Sequence, residues 1–149
     1  MEDRIIPVLL SVKGTSKQSD PGDAGIQLTT SGTLKIVPDG YLLNYRESQP
    51  DSDEYQDIEL LMNEKTVTMT RSGAYATGMV FEKGRRFEGV YETPYGSLDM
   101  AVYATRVFCR LGEERGEVQL KYQLDMQGQF ADVHELIIKY AKKGALKPQ

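Results

Sequence analysis

Tryptophan is absent from this chain, and cysteine and histidine occur once each, as Cys109 and His134. A lone thiol forms no internal disulfide, and no signature links it to the single imidazole as a nucleophile and its base. Cys109 therefore reads as a small buried hydrophobe and His134 as a surface strand residue without a metal role. No apolar run reaches the roughly eighteen residues that a membrane-spanning helix requires. The N-terminus, MEDRIIPVLLSV, sets Glu2 and Asp3 before a short apolar run and lacks the basic start and small-residue cleavage site of a secretory signal. A reducing, cytoplasmic setting without a membrane is the expectation. Excess positive charge is missing too: 18 Lys and Arg face 22 Asp and Glu, a net charge of -4, which argues against a general nucleic-acid binder. There is no metal-ligand cluster, no glycine-rich phosphate loop and no amphipathic helix of any length, so neither a metal nor another cofactor is expected.

Period-two alternation is what the chain does have. Its 149 residues suit one domain with one core. Ile6, Val8, Leu10 and Val12 alternate first, with Pro7 suggesting an edge or bulge near the start. Residues 16–25 read as a loop, and as a flap if they lie over a barrel mouth. The run 26–37 alternates around Gly32, a position for a bend or close backbone approach. Pro38-Asp39-Gly40 is a tight turn. Tyr41, Leu43 and Tyr45 then share a face. The acidic run 47–55 reads as a solvated loop without the tight glycine turn of a calcium site. Ile58, Leu60 and Met62 follow, and then Val67 and Met69, whose face also carries Arg71. A guanidinium on an apolar strand face requires a carboxylate, carbonyls, water or an anionic ligand beside it.

The stretch 81–100, FEKGRRFEGVYETPYGSLDM, names its own turns. Lys83-Gly84 as a two-residue loop sets Phe81 opposite Arg86, and Pro94-Tyr95-Gly96 as a three-residue loop sets Glu92 opposite Leu98. One face then holds Met79, Phe81, Arg86, Glu88, Val90, Glu92, Leu98 and Met100. The other holds Val80, Phe87, Tyr91, Asp99, Ala101 and Tyr103. A parity change near Thr105-Arg106 predicts a β-bulge. Val118 to Met126 is the cleanest strand, a turn at 127–129 follows, and residues 130–140 form the last strand before a tail, 141–149, without fixed structure. Consecutive hairpins of this kind predict an all-β, antiparallel up-and-down meander closed into a barrel of about 8–10 strands.

The segments IPVLLSVKGT (6–15), TTSGTL (29–34), TRSG (70–73), MVFEKGRR (79–86), YETPYGSL (91–98) and LDMQGQF (124–130) resemble the YwiB-like proteins of Firmicutes, a family of small uncharacterised bacterial barrels. MVFEKG and YETPYG in tandem are the specific part. The resemblance implies that the barrel is of the lipocalin-like (calycin) type, a cytoplasmic bacterial setting and no established activity. The departures fall in 16–25 and 47–55.

Three functions follow as expectations. The first is binding of a small amphipathic or anionic organic ligand inside the barrel, with Arg71 supplying charge, Tyr45, Phe81, Tyr91 and Tyr95 supplying walls, and Glu92 beside them. Its bland counterpart has Arg71 paired with Glu92 or Glu88 and the aromatics filling a core. The second is an enzyme using Glu92 as general acid or base near Tyr91 or Tyr95, for which no nucleophile or metal site offers support. The third is an interaction module in which Lys83, Arg85 and Arg86, with Lys139, Lys142, Lys143 and Lys147, meet an acidic partner or RNA. Oligomeric state is left open by the sequence.

Overall fold

A computed structural model describes residues 5–16, 26–48, 55–73 and 75–144. Ten strands follow one another: β1 (Ile5–Ser16), β2 (Ile26–Val37), β3 (Gly40–Ser48), β4 (Tyr55–Met62), β5 (Thr66–Ser72), β6 (Ala76–Glu82), β7 (Arg86–Thr93), β8 (Gly96–Arg110), β9 (Arg115–Met126) and β10 (Gln129–Lys142). Each pairs antiparallel with its neighbour in sequence, and β1 pairs with β10, so the meander closes into a barrel. The expected tail is shorter than predicted. Ala141 and Lys142 belong to β10, Lys142 lying opposite Val8, because β1 offers a free side that only the end of the chain can take. Pro7, which has no amide to donate, sits just before the β10 pairing begins and lends its carbonyl to the Lys143 amide.

Even-numbered residues of β1, β4 and β9, and of β10 from Asp132 onward, point inward. Mid-barrel they form a sealed belt: Val8, Leu10, Leu34, Leu43, Ile58, Leu60, Phe81, Val102, Leu120 and Ile138 are all at most 1% exposed. Burying side chains of this size stabilises the fold by about 1.5–3 kcal/mol each before entropy is counted. Gly32 faces Tyr45 across β2–β3, and a side chain there would run into the Asn44 carbonyl and Leu10, so the glycine marks a close approach of backbone. Two bulges adjust the sheet. One falls between Ala104 and Arg106, where the parity change predicts it; the other, between Phe130 and Asp132, has no counterpart in the expectations.

The hairpins around β7 differ from the expected register. Thr93 lies opposite Gly96, so the β7–β8 loop is the two residues Pro94 and Tyr95, and Tyr91 rather than Glu92 faces Leu98. Across β6–β7, Thr77 faces Tyr91. Around Gly84 the chain tightens: the Arg85 amide donates to the Glu82 carbonyl and the Gly84 amide to the Ala104 carbonyl of β8. Two one-residue slips thus turn β7 over while β6 and β8 keep their expected faces. Phe87 and Tyr91 point inward, and Arg86, Glu88, Val90 and Glu92 point outward.

Because the Asn44 carbonyl is held in the sheet, Gly32→Ala should destabilise the protein by about 1–3 kcal/mol in urea titration. Gln127, the first residue of the two-residue β9–β10 turn, has φ of 55°. Gln127→Asn should therefore move the urea midpoint the other way, by about 0.5 kcal/mol.

Candidate functional site

β1 ends, and β5 and β7 end, at the same mouth of the barrel, which we call the upper one. Arg71, near the top of β5, projects into the lumen in line with Val67 and Met69. Its Nη1 donates to Glu47 Oε1 at 3.1 Å and to Gln56 Oε1 at 2.9 Å. Glu47 ends the inward row of β3 and Gln56 begins that of β4; Gln56 is 3% exposed, while the Arg71 and Glu47 side chains each keep 25% of their surface in contact with solvent. A charge-assisted pair that is half in water avoids the full desolvation penalty of a buried one. Both bonds from Arg71 to described residues leave from Nη1, so the Nε–Nη2 edge, the second fork a carboxylate fits, makes none.

A column of aromatic rings crosses the lumen below. Phe81 of β6 meets Tyr122 of β9 at 4.7 Å between centroids, and Tyr122 stacks on His134 of β10 at 5.6 Å and 18°. β6 and β9 are not neighbours in the sheet, so the Phe81–Tyr122 contact closes the floor across the barrel. His134 Nε2 lies 3.9 Å from Asp132 Oδ2, and Asp132 Oδ1 accepts the Val133 amide at 2.7 Å. Above this floor, Leu28, Met79, Tyr91, Leu98, Leu124 and Met126 face inward and are only partly buried. Tyr45 sits beside the ion pair: burial, then the Glu47 charge, push its phenol up to about 12, with Arg71 opposing. Burial also raises Tyr122, against the pull of Arg71. Among the described residues no buried side-chain polar atom lacks a hydrogen-bond partner, and no group of three or more His, Cys, Asp or Glu side chains could hold a metal ion.

Of the residues singled out from the sequence, Arg71, Tyr45, Phe81 and Tyr91 share this lumen. Glu92 and Tyr95 do not. Glu92 stands on the exposed outer face opposite Ser97, and Tyr95, at the tip of the β7–β8 turn, is 93% exposed. Arg71 pairs with Glu47, not with Glu92 or Glu88. Glu47 was expected in a solvated loop, yet it continues the inward row of Leu43 and Tyr45. His134, expected at the surface, shares the inward parity of Leu136, Ile138 and Tyr140. Asp132 and Gln56 went unread; alternation extended by one residue finds Gln56, whereas the bulge at 130–132 hides Asp132. Cys109 is inward, half-buried, and its thiol is pushed up to about 11 by burial. The basic turn is engaged locally: Arg85 meets Glu82, and Arg86 meets Glu88 and Asp125. Of the predicted loop or flap, 16–25, Ser16 belongs to β1 and 17–25 lie outside the described residues, as do 49–54 of the acidic run and Lys147.

Residues 10–138 match the model of a family described as a domain of unknown function, DUF1934. The chain belongs to this family. Among solved structures, the crystal structure of the ywiB protein from Bacillus subtilis is similar in fold, with a TM-score of 0.76 at 23% identity, covering 93% of this chain and 92% of that one. At the sequence level, the uncharacterized beta-barrel protein YwiB of Bacillus subtilis (strain 168) is 24% identical over 134 residues, 90% of this chain and 92% of its own length. These likenesses carry the barrel fold. No described helix is long and apolar enough to cross a membrane.

The raised phenol and thiol give a pH dependence with a definite sign. The folded state favours the neutral forms of Tyr45 and Cys109, so their contribution is intact below the ordinary values of 10.0 and 9.0. It is lost as pH rises through about 11 for Cys109 and about 12 for Tyr45. Urea midpoints should stay level from neutral pH to the ordinary thiol value of 9.0 and fall above it. Tyr45→Phe should flatten the later part of that fall; an unchanged slope would show that Tyr45 ionises freely.

Proposed function

We propose that the protein binds a small amphipathic organic molecule in the upper lumen, with an anionic head, a carboxylate, on Arg71. The observation that carries this reading is the guanidinium itself. It is anchored at Nη1 by Glu47 and Gln56, and its other edge makes no bond to a described residue. A structural arginine inside a barrel is expected to use both edges; one that is fixed in orientation with an edge to spare is pre-organised for a planar anion. The partly buried Leu28, Met79, Tyr91, Leu124 and Met126 supply the apolar wall that such a molecule's tail needs, and the Phe81–Tyr122–His134 column limits its depth. A soluble, cytoplasmic, lipocalin-like binding protein is the setting that suits this chemistry.

The acid/base reading loses its physical basis. Glu92 stands in water on the outer face, without the desolvation that would suit it to proton transfer.

Titration with 8-anilinonaphthalene-1-sulfonate under native conditions tests the proposal, with a medium-chain fatty acid and the matching alcohol as competitors. The acid should displace the dye at least about tenfold more effectively than the alcohol, and Arg71→Gln should remove that preference while leaving the alcohol's displacement in place. No displacement by either competitor, or equal displacement by both, would contradict it.

A further inference from the structure

The outer surface is electrically uneven. Although the chain carries -4, the outward positions of β1, β9, β10 and lower β8 hold Lys13, Arg106, Arg110, Arg115, Lys121 and Lys139 against Glu117, Asp125 and Glu135. Among the described residues the ion pairs involve other cations: Arg46 with Asp57, Arg71 with Glu47, Arg85 with Glu82, and Arg86 with Glu88 and Asp125. Among the described residues none of the six basic-face cations is ion-paired. Glu117 stands between Arg110 and Lys139, and Glu135 opposite Lys121, yet cations outnumber carboxylates on the face, which gives it the sign that an acidic partner would meet.

The strand register turns this charge into a shape. Arg110, Glu117, Lys139 and Ser11 form one row across four strands, and Arg115, Ala141 and Leu9 form the next. Along these rows lies a groove of about 380 Å³, floored by Leu9, Ser11 and Ala141 and walled by Arg110, Arg115 and Lys139, with Glu117 among them. Leu9 is 47% exposed, and Ile5 on the same face is 64% exposed. A second groove of about 420 Å³ beside Lys13 shares Ser11 and Thr29 with the first, which extends the channel from β1 onto β2.

We propose that this outer face docks an acidic peptide segment of another protein, with an apolar side chain seated on Leu9 and Ala141 and flanking carboxylates on Arg110, Arg115 and Lys139. The charge pattern chooses the sign of the partner, and the floor chooses its kind. Leu9 and Ala141 offer nothing to a phosphate and no ring on which a base could stack. The nearby aromatic, Phe108, already has the guanidinium groups of Arg106 and Arg110 each 5.7 Å from its ring centroid. A leucine or phenylalanine flanked by aspartate or glutamate answers both features, as an apolar anchor with a charged rim does in protein interfaces generally. The face lies outside the barrel, so the proposal is independent of what the lumen holds.

Selection of a random displayed peptide library on the full-length protein tests it, with enriched peptides then synthesised and titrated. Enriched sequences should combine Asp or Glu with Leu, Ile or Phe. They should bind the double variant Arg110→Glu/Lys139→Glu at least about tenfold more weakly than wild type and weaken with added salt. Both substituted side chains are exposed, and an unchanged urea midpoint verifies the fold of the variant. Absence of enrichment, or enriched peptides that bind both proteins equally, would overturn the proposal. So would tighter binding of oligothymidylate than of any peptide, or self-association of the wild type that the double variant abolishes, since either would assign the face to nucleic acid or to a second copy.

Discussion

Pairing of the first strand with the last is the constraint from which the rest follows. Val8 to Ser16 run against His134 to Lys142, and with that ladder in place each of the ten strands has a paired neighbour on both sides, β6 and β7 being joined through Ala76–Glu92 and Thr77–Tyr91. A closed sheet needs no edge protection, and Pro7, with no amide to donate, lies just outside the β10 ladder that begins at Val8. Closure also divides every strand's side chains into two populations. One of these has nowhere to go but the lumen, so each inward residue must pack, find a polar partner or meet water that enters from a mouth.

The interior uses all three solutions in order along the barrel axis. Mid-barrel, aliphatic residues and Phe81 fill the section completely. Above them Tyr122 and His134 continue the stack with rings that carry polar atoms, and Asp132 faces His134. Higher still, Arg71, Glu47 and Gln56 hold a charge pair at quarter exposure, where water offsets part of the desolvation that would otherwise cost several kcal/mol. Tyr45 marks the boundary: it is 3% exposed yet within reach of both charges, which is why its phenol titrates so late. At the opposite mouth Tyr140 shows how the same fold seals itself. Its ring covers Gly116, and its hydroxyl donates to the Gly112 carbonyl at 2.7 Å and accepts the Gly112 amide at 3.3 Å. The lower end is thus closed by a side chain bonded to a turn.

Alternation made most of this legible. Strand order, the inward placement of Arg71 and the bulge at 104–106 all follow from counting by twos, because in a barrel the period of two is enforced by burial on one side. What alternation cannot supply is the origin of the count after each turn. At Thr93-Pro94-Tyr95-Gly96 a two-residue and a three-residue loop are both chemically reasonable, and the choice decides whether Glu92 or Tyr91 enters the lumen. Around Lys83-Gly84 the decision is made by a long-range bond, from the Gly84 amide to Ala104, that no local pattern announces. Glu47 and His134 were legible in principle. Glu47 extends the parity of Leu43 and Tyr45, and His134 that of Ile138 and Leu136; their polarity argued for the surface, and closure overrode it.

Closure is measurable directly by native-state amide hydrogen exchange on β1 and β10. Were the barrel closed as described, the amides of Leu10, Val12, Ile138 and Tyr140 would exchange only through global unfolding, with a free energy equal to that from urea titration. Exchange of these amides at a distinctly lower free energy than those of Leu43 and Leu60 in β3 and β4 would mean that β1 and β10 separate in the native protein, and the closed interior on which the lumen depends would not exist.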